Sequence, residues 1–195
     1  QRLFSYICYM LGLGSSITTK SAVYTTGGST YTNFRTWDND SDLIGSNGFQ
    51  LFGWSGTNTL SFEEDALDGE GNYAKLAVGS TQSDSCQWRD NSVKDDSGAS
   101  IYFSSYTRYR VEAKMYASLD SSRTQITFST AFGTTSQDRF QTTLQDETWT
   151  SIDVSNTLSG DVSATHFYLW DFDQSGNFPI AGEFFAMKDV KLSLG

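Results

Sequence analysis

The sequence predicts an all-β chain: an antiparallel jelly-roll β-sandwich with an apolar N-terminal arm or strand. Three observations carry this. About ten short segments alternate apolar and polar residues with a period of two. Turn-forming Gly, Asn and Asp separate them at regular spacing, and no credible helix longer than about ten residues interrupts them. The clearest segment is Tyr106 to Ser118, where Val111, Ala113 and Met115 alternate with Arg110, Glu112, Lys114 and Tyr116. A helix would leave Ala113 and Arg110 on the wrong sides. A strand gives one buried and one wet face, and this one is expected near the centre of a sheet.

The composition agrees. The 195 residues are rich in Ser, Thr, Gly and aromatics and hold one proline, Pro179. Ser and Thr suit wet strand faces, and aromatics suit a sandwich core. That length allows one domain, or a domain plus an arm. We divide it into 1–29, an apolar arm with a Gly/Ser/Thr-rich connection, and 30–195, the sandwich. The formal net charge of -10 repels phosphate backbones, so no nucleic acid is expected as partner, nor an anionic lipid surface. His166 is the only histidine and no Cys-x-x-Cys occurs, which argues against zinc. Cys8 and Cys86 are either a disulfide pair or two buried free thiols.

Leu3 to Leu13 is an apolar run, too short for a membrane-spanning helix, which needs about 20 residues. As a strand it would place Phe4, Tyr6, Cys8 and Met10 on one side, as the first strand of the same domain. The alternative is an arm, with Phe4, Tyr6, Ile7, Tyr9 and Leu11, that pairs with the sheet edge of another copy. Gly12, Gly14, Ser15 and Ser16 then read as a hinge. The chain begins with Gln rather than Met, and is therefore expected to be processed or excerpted.

Strands are expected at Thr30 to Trp37, Phe49 to Trp54, Thr59 to Phe62, Tyr73 to Val78 and Ser85 to Arg89. Asp38-Asn39-Asp40-Ser41-Asp42 holds a glycosylation sequon and alternating carboxylates, but Leu43 and Phe49 stand where an EF-hand needs Gly and Glu. It reads as a solvated acidic loop or a different calcium loop. Glu63-Glu64-Asp65 and Asp68 to Gly71 form an acidic turn region, and Asn91 to Ser100 a charged loop. Further strands are expected at Thr124 to Phe132, Phe140 to Leu144, Thr148 to Val154, His166 to Asp171 and Phe184 to Leu192. In His166 to Asp171, Phe167 and Leu169 are set against His166, Tyr168 and Trp170.

Several of these segments resemble carbohydrate-binding modules of the family 4, 9 and 22 type. Phe184-Phe185-Ala186-Met187-Lys188-Asp189-Val190-Lys191-Leu192 is similar to their closing strand, Trp149-Thr150-Ser151-Ile152 to their "Trp-Thr" strand, and Tyr109-Arg110-Val111 to their Tyr-x-Val strand. Gly71-Asn72-Tyr73-Ala74-Lys75-Leu76 matches "Gly-x-Tyr-Ala-x-Leu", and Gly53-Trp54 their Gly-Trp. The match covers roughly residues 30–195. It implies a non-catalytic glycan-binding module, extracellular or surface-exposed, with one structural Ca2+. Asp189 is retained for that ion, with Glu63 and Asp65 as further candidates. Arg35 follows Asn33-Phe34 where the family often carries an acid.

Sugar binding needs flat aromatic faces beside amide, carboxylate or guanidinium groups. Trp88 sits among Gln87, Arg89, Asp90 and Asn91, a suitable mixture. Arg110 and Glu112 are on the wet face of their strand, and Tyr168 and Trp170 are expected to share a face. Trp88, Arg89, Asn91, Arg110, Glu112, Tyr168 and Trp170 are therefore the candidate glycan-binding residues; Trp54 and Trp149 are assigned to packing. No residue is assigned to catalysis. Glycoside hydrolysis needs carboxylates at a defined separation, and no Glu-x-Asp-x-x-Glu strand occurs. Asp171 and Asp173 are expected to be solvated or calcium-associated, and His166 to be an ordinary polar strand residue.

The reading leaves two functions: a glycan-binding or adhesive module, and a self-assembling structural subunit of a filament or virion, joined through the arm.

Overall fold

The computed structural model describes residues 30–38, 40–45, 48–64, 67, 69, 71–91, 93–94, 107–132, 139–158, 166–173 and 177–195. The arm positions Phe4, Tyr6, Ile7, Tyr9 and Leu11, together with Cys8 and Asp65, lie outside them. The elements run β1 (Thr32–Trp37), α1 (Asp40–Leu43), β2 (Phe49–Phe52), β3 (Asn58–Glu63), β4 (Tyr73–Val78), β5 (Cys86–Asp90) and β6 (Arg108–Ser118). They continue with β7 (Gln125–Phe132), β8 (Arg139–Gln145), β9 (Thr150–Thr157), β10 (Phe167–Phe172) and β11 (Phe184–Leu194).

All strand pairs between named strands are antiparallel and form two sheets. One runs β3-β4-β11-β6-β9, with β1 also on β11; the other runs β2-β5-β10-β7-β8. This is the expected jelly-roll sandwich. Strand β6 is interior, paired on both edges, and buries Tyr109, Val111, Ala113, Met115 and Ala117. The centre of that sheet is its neighbour β11. The first half of β11 pairs β4 and its second half pairs β1. Between the halves an extra residue, Asp189, enters against β6 with φ 52°. The bulge turns β11 from one partner to the other.

The two inner faces interlock through aromatic rings. Trp37, Phe49 and Phe167 meet with centroids 5.3–5.5 Å apart. Trp170 lies 4.4 Å from Phe128 and 5.1 Å from Phe185, which joins the sheets. Each such ring removes about 150–250 Å² from water, worth roughly 4–6 kcal/mol gross before ordering entropy is subtracted. Trp37 also donates its indole N–H to Asp90 Oδ2 at 3.2 Å, which satisfies a carboxylate buried in this core.

Glu183, 1% exposed, ties the loops at one end. It accepts from Arg123 Nε at 2.6 Å and from the backbone N–H of Asp120 at 3.0 Å and Ile180 at 2.8 Å. The expected acidic loop after β1 is instead a single helical turn, because Asp42 folds back onto Arg35 at 3.3 Å. Cys86 is a buried free thiol whose pKa is pushed up to about 12, first by burial and then by Asp171 and Asp84.

Candidate functional site

Strand alternation decides what the outer face of the five-stranded sheet presents. In β2, Phe49 points into the core, so Gln50 and Phe52 point out. In β5, Cys86, Trp88 and Asp90 are buried, so Gln87 and Arg89 point out. Register then aligns the outward residues into two rows across all five strands. One row is Gln50, Arg89, Tyr168, Ala131 and Arg139. The other is Phe52, Gln87, Asp171, Ser129 and Gln141.

Arg89 is the organising group of the first row. Its guanidinium carbon lies 3.6 Å from the Phe52 ring centroid and 5.4 Å from that of Tyr168. It donates from Nε to Asn91 Oδ1 at 2.6 Å and from Nη1 to Gln87 Oε1 at 2.8 Å. Asn91 is within 3.4 Å of Gln50. Amides and rings thus fix one plane for the guanidinium. Gly53 closes β2 just beyond Phe52 with φ +75°, and a Cβ there would meet the Ser85 carbonyl at 2.7 Å. That close approach lets Trp54 donate to the Gln87 carbonyl at 2.9 Å.

Asp171 is the buried acid of the face, at 0% exposure. Gln87 Nε2 donates to its Oδ1 at 3.0 Å. Arg139 Nη1 lies 3.1 Å from its Oδ2, close enough for an ion pair but without hydrogen-bond geometry, and donates to Asp173. Burial raises the Asp171 pKa, against the pull of Arg139 and Gln87. His166 borders the site, its Nδ1 3.3 Å from the Tyr168 hydroxyl. Burial, then the Arg89 charge, lowers its pKa, which keeps it neutral near pH 7.

The structure brings three of the sequence candidates together: Arg89, Asn91 and Tyr168. Two others are corrected. Trp88 and Trp170 are 0% exposed and belong to the core, so neither offers a face to a sugar. Trp88 points inward by strict alternation. Trp170 points inward because β10 carries a bulge: Tyr168 opposes Arg89, yet Trp170 opposes Trp88, which leaves Leu169 as an extra residue. The same shift carries Asp171 onto the outer face, where Arg139 and Gln87 cover it, rather than into a solvated turn.

Arg110 and Glu112 lie on the opposite side of the molecule, on the outer face of the other sheet. Arg110 forks onto Asp153 with both contacts at 2.7 Å, and Glu112 lies 3.3 Å away. Hydrogen bonding to Asp153 pushes the Arg110 pKa up, and the same bond pulls the Asp153 pKa down.

Asp189 is exposed at its bulge, and Glu63 ends β3, accepting from Ser61 at 2.6 Å. Among the described residues no three His, Cys, Asp or Glu side chains gather to hold a metal.

Sequence reasoning did not single out Gln50, Phe52 or Arg139 for this face. Gln50 and Phe52 were legible from the alternation with Phe49 and Leu51. Arg139 was not, since only the register of β8 against β7 brings it to Asp171.

The fold is a two-sheet antiparallel jelly-roll β-sandwich, and the solved structures that share it include carbohydrate-binding modules. The chain is similar to a xylan-binding domain of carbohydrate-binding module family 22, with a TM-score of 0.51 and 9% identity over 83% of this chain and 94% of that one. It is similar to the C-terminal family 22 module of Clostridium thermocellum Xyn10B, with a TM-score of 0.50 and 9% identity over 84% of this chain and 92% of that one. It also matches the arabinose-bound α-L-arabinofuranosidase MgGH51, with a TM-score of 0.54 and 14% identity over 87% of this chain; it spans only 27% of that enzyme's length. No family model and no curated protein matches the chain. At such identities the likeness is one of fold.

Proposed function

We propose that this protein is a non-catalytic glycan-binding module, extracellular or surface-exposed, whose ligand lies across the outer face of the five-stranded sheet. The observation that carries this is the pair of cross-strand rows centred on Arg89. Amide, guanidinium and hydroxyl groups there can meet sugar hydroxyls, and Phe52 and Tyr168 offer apolar ring surface. Phe52 is 52% exposed, the large apolar side chain that the described surface leaves most open. Five strands span roughly 19 Å at about 4.8 Å per strand, a length suited to an oligosaccharide. The face supports binding better than hydrolysis. Asp171 and Asp173, the carboxylates described on it, share the cation of Arg139, so neither is placed as a free acid beside a free base.

Affinity electrophoresis against a panel of soluble polysaccharides tests the reading. Arg89→Ala and Tyr168→Ala should each weaken binding of whichever polysaccharide is retarded by about tenfold or more, a loss of roughly 1.4 kcal/mol, with the thermal transition kept. Retardation that survives both substitutions would place the ligand elsewhere.

The second reading, a self-assembling subunit, rests on the apolar run Leu3 to Leu13. It expects a large native assembly that falls to monomers when residues 1–16 are removed, as read by light scattering. A monomer in both forms ends it.

A further inference from the structure

Among the described residues the face carries one arginine, Arg89, that makes no ion pair with a carboxylate, although Asp171 lies near enough to feel its charge. Four arginines each have a carboxylate partner. Arg35 pairs with Asp42 at 3.3 Å, Arg110 with Asp153 at 2.7 Å, Arg139 with Asp171 at 3.1 Å, and Arg123 with Glu183. Arg89 differs. Its two hydrogen bonds go to neutral amide oxygens, and its flat faces meet aromatic rings. Among the described residues no carboxylate pairs with it, in a chain where Asp and Glu number 23 against 13 Lys and Arg.

The local structure explains why. Asp90 is next in sequence, but alternation sends its carboxylate through the sheet to Trp37. Asp171 is on the same face, but Gln87 and Arg139 occupy it. Amide acceptors orient a guanidinium without cancelling its charge. A guanidinium has five N–H donors; Nε and one proton of Nη1 are committed, and both protons of Nη2 have no partner among the described residues. Packing against two rings removes water from its faces, which strengthens any charge–charge contact made at its edge.

We infer that Arg89 receives an anionic substituent of the glycan, a uronic-acid carboxylate or a sulfate ester. Charge-assisted bonds to such a group are about twice as strong as those to a hydroxyl. Physiological salt screens the net charge of -10 beyond about 8 Å, and Arg139 offsets the two nearby carboxylates Asp171 and Asp173 in part, whereas Arg89 would touch the ligand directly. This inference rests on the proposed ligand face, and the experiment separates the two.

Isothermal titration calorimetry of the whole protein would compare neutral cello- and xylo-hexasaccharides with hexagalacturonate and with a sulfated cello-hexasaccharide. The expected result is binding about tenfold tighter for at least one acidic ligand than for the neutral ones. That preference should shrink as salt rises. Which acidic arm is preferred identifies the anion. Arg89→Gln should bring the acidic-to-neutral ratio close to one, and Arg89→Lys should keep part of it. Equal affinity for neutral and acidic ligands, or a ratio unchanged in Arg89→Gln, overturns the inference and leaves the ligand face standing. Binding of none of the four overturns both. The salt dependence of the unsubstituted protein gives the answer even where a variant folds poorly.

Discussion

The two sheets wear different outer faces, built from the same kinds of residue. On the six-stranded sheet, Arg110 is consumed by Asp153 and Glu112, and Lys191 approaches Glu112 at 3.9 Å. Beside them Tyr73, Tyr116, Trp149 and Phe184 pack on one another, with Tyr116 and Phe184 stacked at 5.6 Å. Lysine ammonium groups cover two of these rings, Lys75 over Phe184 and Lys188 over Trp149, each at 4.7 Å. On the five-stranded sheet, Arg89 is aligned by amides and Phe52 stays half open. Residue type does not distinguish the faces. What distinguishes them is whether each group has already spent its donors and ring faces on its neighbours.

The largest effect should come from neither face. Trp170→Ala or Trp88→Ala removes a ring from between the sheets and should cost about 3–5 kcal/mol, a fall in Tm of roughly 6–20 °C for a chain of this size. Trp149→Ala, on the outer face of the six-stranded sheet, should cost less, because Trp149 is only half-buried and leaves no interior void. Thermal unfolding of the three variants ranks them. A Trp149 variant as unstable as the other two would mean that the outer aromatic cluster is part of the core. Loss of glycan binding in a Trp88 or Trp170 variant would report unfolding rather than a lost contact.

Next in size is the contrast between two arginines in glycan binding. Arg89→Ala removes an oriented cation that no described carboxylate pairs with, and should weaken binding by about tenfold or more. Arg110→Ala removes an exposed, self-satisfied one and should leave affinity within about twofold, with little change in Tm, since solvent and salt screen such pairs. Titration of both variants with the same polysaccharide checks this. A larger loss in Arg110→Ala would exchange the roles of the two sheets.

Much of the fold could be read from the chain, because alternation is local. Val111, Ala113 and Met115 point inward as their period of two requires, and so do Ile126 and Phe128 in β7. The site was harder, for a physical reason visible at Leu169 and Asp189. Each is the extra residue of a bulge, and neither is Gly, so nothing in the local sequence marks the break. One inserted residue reverses the facing of everything after it. Before the bulge Tyr168 faces outward as expected; after it Trp170 enters the core and Asp171 takes the outer position. Arg139 became part of the site only through pairing across β7. Such non-local register cannot be read from β8 alone.

The smallest expected effect tests Asp171, which the five-stranded face keeps buried despite the cost. Its folded pKa is raised above the unfolded value of about 3.9 by burial, which outweighs the pull of Arg139 and Gln87. The sign follows from linkage. A group with a raised folded pKa binds more protons folded than unfolded, so its stabilising contribution is full below the unfolded pKa and is lost as pH rises through the folded one. At neutral pH the ionised Asp171 therefore weighs against the fold. Asp171→Asn keeps the acceptor that Gln87 uses, and Arg139 keeps Asp173. The variant should melt higher than the unsubstituted protein at pH 7, and that gain should fade as pH falls through the unfolded carboxylate pKa. It should leave glycan affinity unchanged, since Gln87 keeps its acceptor and Arg139 keeps Asp173. A gain in Tm that persists unchanged in acid would show that packing, not ionisation, sets the cost. The five-stranded face would then hold its buried acid at no electrostatic cost to stability, as the six-stranded face holds its exposed ion pairs.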